Sequence, residues 1–228
     1  MKKTKKILLI IILLLLIALA IFTGFKIHQY NEIFKLNQAL MDKRDSLDFY
    51  YETPSANSPY KIYVKNNKVM HEVFSDGILT TTIYVDLEKD ITYFVDNENK
   101  LYSIENSAVF KPGFANLPNS LGLMHVASEG NIINKIKFLS YIKSITTEEV
   151  DGINTIRVDL EYFDENRKET TWFDANTLYP IKCESDEYGS VYYKITDCPL
   201  SEEELTFTDI DNYTLLESEN NNQIDLSK

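Results

Sequence analysis

Hydrophobic and polar positions change rhythm three times along this chain. From Ile7 to Phe25 the run ILLIIILLLLIALAIFTGF holds 19 residues without a charge. As a helix it is about 28 Å long, enough to cross a hydrocarbon core of about 30 Å. Lys2, Lys3, Lys5 and Lys6 precede it. Cationic flanks stay in the cytoplasm, so the expected topology is single-pass, N-terminus inside and the remainder outside. Ala18-Leu19-Ala20 also reads as a signal-peptide cleavage site, which would release a protein secreted after Ala20. Both readings export the rest of the chain. No cysteine closely follows the apolar run, so a lipid-modified N-terminus is not expected.

Residues 26–44 contain no Gly or Pro, and Ile27, Tyr30, Phe34, Ala39 and Met41 recur at roughly helical spacing beside Ile33, Leu36 and Leu40. A second helix is expected there. Six short strand patterns follow, at 46–52, 60–65, 68–74, 78–85, 91–95 and 100–104, separated by TPSANSP, Asn66-Asn67, Ser75-Asp76-Gly77, LEKD and DNEN. Short polar gaps between alternating runs are hairpin connections. Ile62 and Val64 alternate with Lys61, Tyr63 and Lys65, and Leu79, Ile83 and Val85 are placed on one face.

Residues 107–137 break that rhythm. Pro112-Gly113 and Pro118 interrupt it, and Leu117, Leu121, Leu123, Met124 and Val126 suggest a short helix. Residues 131–137 suggest another, and the whole segment is expected to fold over the sheet. Strands resume at 138–150 and 153–163 across Asp151-Gly152, a type I′ hairpin signal. Further strands are expected at 168–174, 181–187 and 190–198, with Ile156, Val158 and Leu160 on one face of the second of the five. Beyond Pro199 the signal fades, with Leu205, Phe207, Ile210, Tyr213 and Leu215 edge-packing.

The predicted fold is mainly β (α+β): an N-terminal transmembrane helix, then about eleven antiparallel strands in an unclosed barrel, with two to three helices covering its concave face. A sheet this large must curl. The expected domains are residues 1–25 (lysines and anchor or signal), 26–215 (the half-barrel) and 216–228 (a disordered Asn-rich acidic tail).

Several segments resemble the bacterial lipoprotein-carrier superfamily, the LolA/LolB-like proteins with their LppX-like and RseB-like relatives. In TTWFDANTLYPIKCESDEYGSVYYKITD the similarity lies in Trp172, Asp174, Pro180, Lys182 and Gly189; in EEVDGINTIRVDL it lies in Asp151 and Gly152. The resemblance covers about residues 27–210. It implies an eleven-stranded unclosed barrel with helices lidding an apolar concavity. The chain departs from soluble carriers in its tether, and from the lipoprotein-receptor branch in lacking a lipid-accepting Cys.

Charge narrows the partners. Setting the four N-terminal lysines aside leaves 19 basic side chains against 35 acidic, a balance of −16 for the exported part. Such a surface repels phosphate backbones and anionic headgroups, so nucleic acid is not an expected partner. Cys183 and Cys198 lie near one predicted hairpin but at mismatched strand parity, which leaves a disulfide between them open.

Chemistry-bearing motifs are missing. His28, His71 and His125 are far apart, no HExxH, GxSxG, Walker loop or GxGxxG occurs, and no metal or other cofactor is expected. Asp86, Glu88, Asp90, Asp96 and Glu98 flank consecutive turns and read as loop charges rather than a Ca²⁺ site. The expectation is therefore a non-enzymatic binding protein of the cell envelope, holding a lipid, lipoprotein or other apolar group. The candidate lining is Ile62, Val64, Leu79, Ile83, Val85, Ile156, Val158 and Leu160. The alternative is an anchored sensor or regulator that binds another envelope protein through its sheet surface.

Overall fold

The computed structural model describes residues 2–53, 59–106, 132–187 and 189–216. The helix expected around 117–126, most of the TPSANSP break and the 217–228 tail lie outside them. In chain order the elements are α1 (Lys2–Asp45), β1 (Asp48–Glu52), β2 (Tyr60–Lys65), β3 (Lys68–Ser75), β4 (Ile78–Asp86), β5 (Ile91–Asp96), β6 (Leu101–Asn106), α2 (Ile132–Tyr141), β7 (Ile142–Val150), β8 (Ile153–Tyr162), β9 (Arg167–Asp174), β10 (Pro180–Ser185), β11 (Gly189–Tyr192), β12 (Lys194–Thr196) and β13 (Thr214–Leu215). The architecture is mainly β, its sheets are mostly antiparallel, and none closes into a barrel.

The two helices expected at the N-terminus are one, since nothing in the sequence interrupts it between Phe25 and Asp45. It has 44 residues and is about 66 Å long. Its apolar run is exposed around its whole circumference, and it is long and apolar enough to cross a membrane. From Gln29 onward the helix has a buried stripe of Gln29, Ile33, Leu36, Asn37 and Leu40, spaced for one helical face. Ile27 and Phe34 are exposed, so the packed face lies to one side of the Ile27–Tyr30–Phe34 series. Leu47 takes φ +51° just beyond the helix, and the Ser46 N–H donates to the Asp42 carbonyl at 3.0 Å.

The described chain divides into two compact units. One comprises residues 1–40, 119–179 and 185–188; the other comprises 41–118, 180–184 and 189–228.

In the first unit β7, β8 and β9 form an antiparallel meander. Asp151 (φ +51°) and Gly152 (φ +80°) both take the left-handed conformation that a type I′ hairpin requires. Val158, Leu160 and Tyr162 are buried with Ile142, Thr171 and Phe173 on the paired face. The strand expected from residue 138 begins at Ile142 instead. Residues 138–141 complete α2, which buries Phe138 and Tyr141, three residues apart on one helical face. Lys26 Nζ donates to the Ile142 carbonyl at 2.6 Å, tying α1 to the α2–β7 junction.

The second unit holds an eight-stranded sheet in the order β12-β1-β2-β3-β4-β5-β6-β13. Its β2–β3–β4–β5–β6 meander is antiparallel, and the two-residue β13 joins β6 in parallel. The strand expected at 190–198 is broken at Tyr193, which is buried and donates its N–H to the Ile181 carbonyl at 2.9 Å. Two hairpin turns share a design. Asp86 Oδ1 accepts from the N–H groups of Glu88 (3.2 Å) and Lys89 (3.0 Å), and Asp96 Oδ1 from those of Glu98 (3.0 Å) and Asn99 (2.9 Å). Asp90 (φ +57°) and Lys100 (φ +57°) then close the turns in the left-handed region. These carboxylates serve their own turns.

Candidate functional site

Register divides the eight-stranded sheet into two distinct faces. Tyr51, Ile62, His71, Ile83, Phe94 and Ser103 stand opposite one another in sequence, one row running straight across β1 to β6. A neighbouring row on the same face holds Phe49, Val64, Val69, Val85, Thr92 and Glu105. At the β1–β2 end Phe49, Tyr51 and Val64 are packed under Cys183, Val191, Tyr193 and Ile195. Toward β3, β4 and β5 the face is mixed: Ile62, His71 and Phe94 are half-buried, whereas Ile83, Val85 and Thr92 are buried.

The opposite face carries Tyr63, Met70, Tyr84, Tyr93, Val95 and Tyr102, and the irregular segment after Cys198 covers it. Cys198, Leu200 and Leu205 pack on Met70, Tyr63 and Tyr84. Phe207 sits among the rings of Tyr84 (5.5 Å), Tyr93 (5.5 Å), Tyr102 (5.4 Å) and Tyr213 (5.5 Å). The pocket beside it, lined by residues including Lys68, Tyr84, Asp86, Leu205 and Phe207, has a cavity volume of about 40 Å³. That is room for a water or two and no acyl chain.

Four of the candidate lining residues, Ile62, Val64, Ile83 and Val85, thus share the first face. Leu79 does not join them. The register of β3 and β4 shifts between Val73 and Phe74, so Leu79 pairs with Phe74 rather than continuing the row of Ile83 and Val85. One extra residue in a strand re-aims every side chain beyond it. Ile156, Val158 and Leu160 belong to the other unit, where Val158 and Leu160 are buried and Ile156 is half-buried. Cys183 and Cys198 are not bridged. They lie in clusters on opposite faces of the eight-stranded sheet, and burial pushes the Cys198 thiol up from its ordinary value.

The open face also contains polar atoms that its apolar pattern did not announce. His71 Nε2, Thr92 Oγ1 and Thr53 Oγ1 are buried atoms with no hydrogen-bond partner among the described residues. His71 lies between Ile62 and Ile83 in the row, with the Tyr60 ring edge-on at 5.5 Å. Burial lowers its pKa from the ordinary histidine value, so it stays neutral at physiological pH. Its parity with Val69 and Val73 was the signal in the sequence.

Several charged groups elsewhere are paired. Asp159 accepts from Arg157 Nε (2.9 Å), Thr170 Oγ1 (2.8 Å) and Ser144 Oγ. Burial works to raise its pKa, but these donors outweigh it and hold the carboxyl below its usual range. Trp172 Nε1 donates to Glu148, and the Arg157 guanidinium lies 5.5 Å from the Trp172 ring. Arg167, at the rim of a polar hollow of about 310 Å³, pairs with Glu165 (3.0 Å) and Glu169 (3.4 Å). Among the described residues no group of three or more His, Cys, Asp or Glu side chains is placed to hold a metal ion.

The fold and this surface define a class: a mainly β chain behind one long apolar helix, with an unclosed sheet that buries part of each face and leaves Ile62, His71 and Phe94 half-buried on one of them. No family model matches the chain, and no curated protein matches it. Among solved structures it is similar to MucB, determined in complex with MucA(peri), at 12% identity over 81% of this chain and 62% of that one, with a TM-score of 0.41. It is also similar to PNGF-II, at 9% identity over 75% of this chain and 31% of that one, with a TM-score of 0.29. The chain thus spans less than two thirds of the length of either, and likenesses this distant carry nothing about activity.

Proposed function

We propose that this chain is a membrane-anchored, extracytoplasmic binding protein without catalytic activity, and that the open sheet face receives an apolar ligand such as the acyl chain of a lipid or lipoprotein. The apolar helix is the anchor, with the lysine-rich end inside. The observation that carries the reading is the row Ile62–His71–Ile83–Phe94, apolar apart from one neutral imidazole, buried at Ile83 and half-buried at the other three. At roughly 4.8 Å per strand, the stretch of the row from β2 to β5, beyond the covered β1 end, is about 14 Å long, enough for part of an extended acyl chain.

The test is photo-crosslinking of the full chain in micelles with a diazirine-bearing phospholipid, with adducts located by peptide mass spectrometry. Adducts within residues 60–96 are expected, and Ile83→Asp should reduce them several-fold. Adducts confined to residues 7–25 would refute the ligand reading.

A second reading is favoured by β7. This nine-residue strand has β8 as its one described ladder partner, and it is mostly exposed. An edge of that kind can accept a strand from a protein partner. Crosslinks from β7 to another envelope protein, with no lipid adduct on β3–β5, would favour this reading over the first.

A further inference from the structure

We infer that the edge formed by the end of α2 and the β8–β9 turn lies against the bilayer surface, with Phe163 and Ile136 immersed in the interfacial layer as a second membrane contact. The inference rests on the anchored reading of α1. It begins with exposure. Outside the apolar run, the two most exposed large apolar side chains among the described residues are Phe163 at 66% and Ile136 at 61%. Ile78, at 60%, belongs to the other unit.

Phe163 and Ile136 occupy one edge. Tyr141 Oη donates to Asp164 Oδ1 at 2.9 Å, and Lys137 Nζ pairs with Asp164 Oδ2 at 2.8 Å. Both contacts clamp the α2 end to the turn that presents Phe163. The edge is in turn held to the anchor. Lys26 is the first residue after the uncharged run, so it marks the bilayer boundary, and its ammonium reaches the Ile142 carbonyl at 2.6 Å. Ile142 directly follows Tyr141 in the chain. The α2–β7 junction therefore lies within one lysine side chain of the point where α1 leaves the hydrocarbon. Each headgroup layer is about 6 Å deep, and aromatic side chains favour it.

Charge decides the kind of contact. With a balance of −16 beyond the anchor, attraction to anionic headgroups cannot drive docking. Pairing Asp164 with Lys137 neutralises the acid nearest Phe163. What remains is burial of apolar surface, so the contact should persist on zwitterionic lipid and at high salt.

The experiment uses the full chain in phosphatidylcholine nanodiscs doped with lipid carrying a nitroxide at headgroup depth. Single replacements Phe163→Cys, Ile136→Cys, Ile27→Cys and Ile153→Cys are labelled with a fluorophore, the native cysteines being buried. Ile153 is at the far end of β8, about 33 Å along the strand from Phe163. Several-fold stronger quenching at 163 and 136 than at 153 is expected, unchanged by added salt. Quenching at 27 with none above the 153 level at 163 and 136 would overturn the second contact and leave the anchor standing. Absence of quenching at 27 as well would overturn both.

Discussion

Replacing Phe207 by alanine tests whether the far face of the eight-stranded sheet is sealed. The side chain is 7% exposed and has four tyrosine rings within 5.5 Å of its centroid. Truncating a buried phenylalanine costs about 3–5 kcal/mol, the spread reflecting how far the neighbours can collapse. Tyr84, Tyr93 and Tyr102 sit on hydrogen-bonded strands and cannot follow the lost ring. Phe207 itself lies on an irregular segment that can, which places the expected cost near 3 kcal/mol. The existing cavity of about 40 Å³ would merge with the new space. Against a typical total of about 5–15 kcal/mol, the variant should fold but unfold earlier in denaturant. The assay is urea unfolding of the full chain in mild detergent, followed by near-ultraviolet circular dichroism of the tyrosines. Phe207→Leu, which keeps most of the volume, should cost under about 1.5 kcal/mol. If both variants fall within about 0.5 kcal/mol of the parent, the segment does not seal that face, and the argument confining the ligand to the other face fails.

Gly152→Ala meets no atom within 4 Å, so its cost is backbone strain alone at φ +80°; a loss of about 1–2 kcal/mol should appear as faster amide exchange across β7 and β8. Asp86→Asn keeps the turn cap and loses the ion pair with Lys68, whereas Asp86→Ala loses both, so alanine should be the worse by about 1 kcal/mol in denaturant melts. Burial tends to raise the Asp86 pKa, but the Lys68 and backbone donors win and hold it low. Its contribution is therefore present above the ordinary aspartate value and lost as pH falls through the depressed one, and Asp86→Asn should flatten that acid limb. For His71, lowered by burial, the unfolded chain binds the proton more readily. Stability should fall as pH drops below about 6.5, and His71→Gln should remove that slope in pH-dependent melts. Alkylation in urea without reductant should modify both Cys183 and Cys198; a bridged species would contradict their placement on opposite faces.

Most strands were legible because their signal is local. Tyr60–Lys65 matches its expected bounds, and Asp151-Gly152 turns as the dipeptide predicts. What escaped depends on neighbours distant in sequence. Nothing near Leu79 reveals that the ladder with β3 skips a residue, so its face could not be read from parity. The packed stripe of α1 includes Gln29 and Asn37, polar residues that an apolar count passes over. Phe138 and Tyr141 suit a strand as well as a helix, and their burial three residues apart settled the matter. The candidate surface was half legible: alternation found Ile62, Val64, Ile83 and Val85, while His71, on the parity of Val69 and Val73, and Thr92 are polar and were passed over until register placed them in the same rows.

The unbroken course of α1 links its apolar run to the packed stripe as a toothed shaft links two gears. Each residue turns the helix by about 100°. One residue inserted between Phe25 and Lys26 would leave the stripe from Gln29 to Leu40 seated and rotate the side chains of the apolar run by that angle. Seven inserted residues would nearly restore the phase, about 20° short, while moving the whole assembly about 10 Å outward. The azimuth of the apolar run about the packed stripe is thus fixed by helical phase, and could be reset by insertion without altering a packed residue.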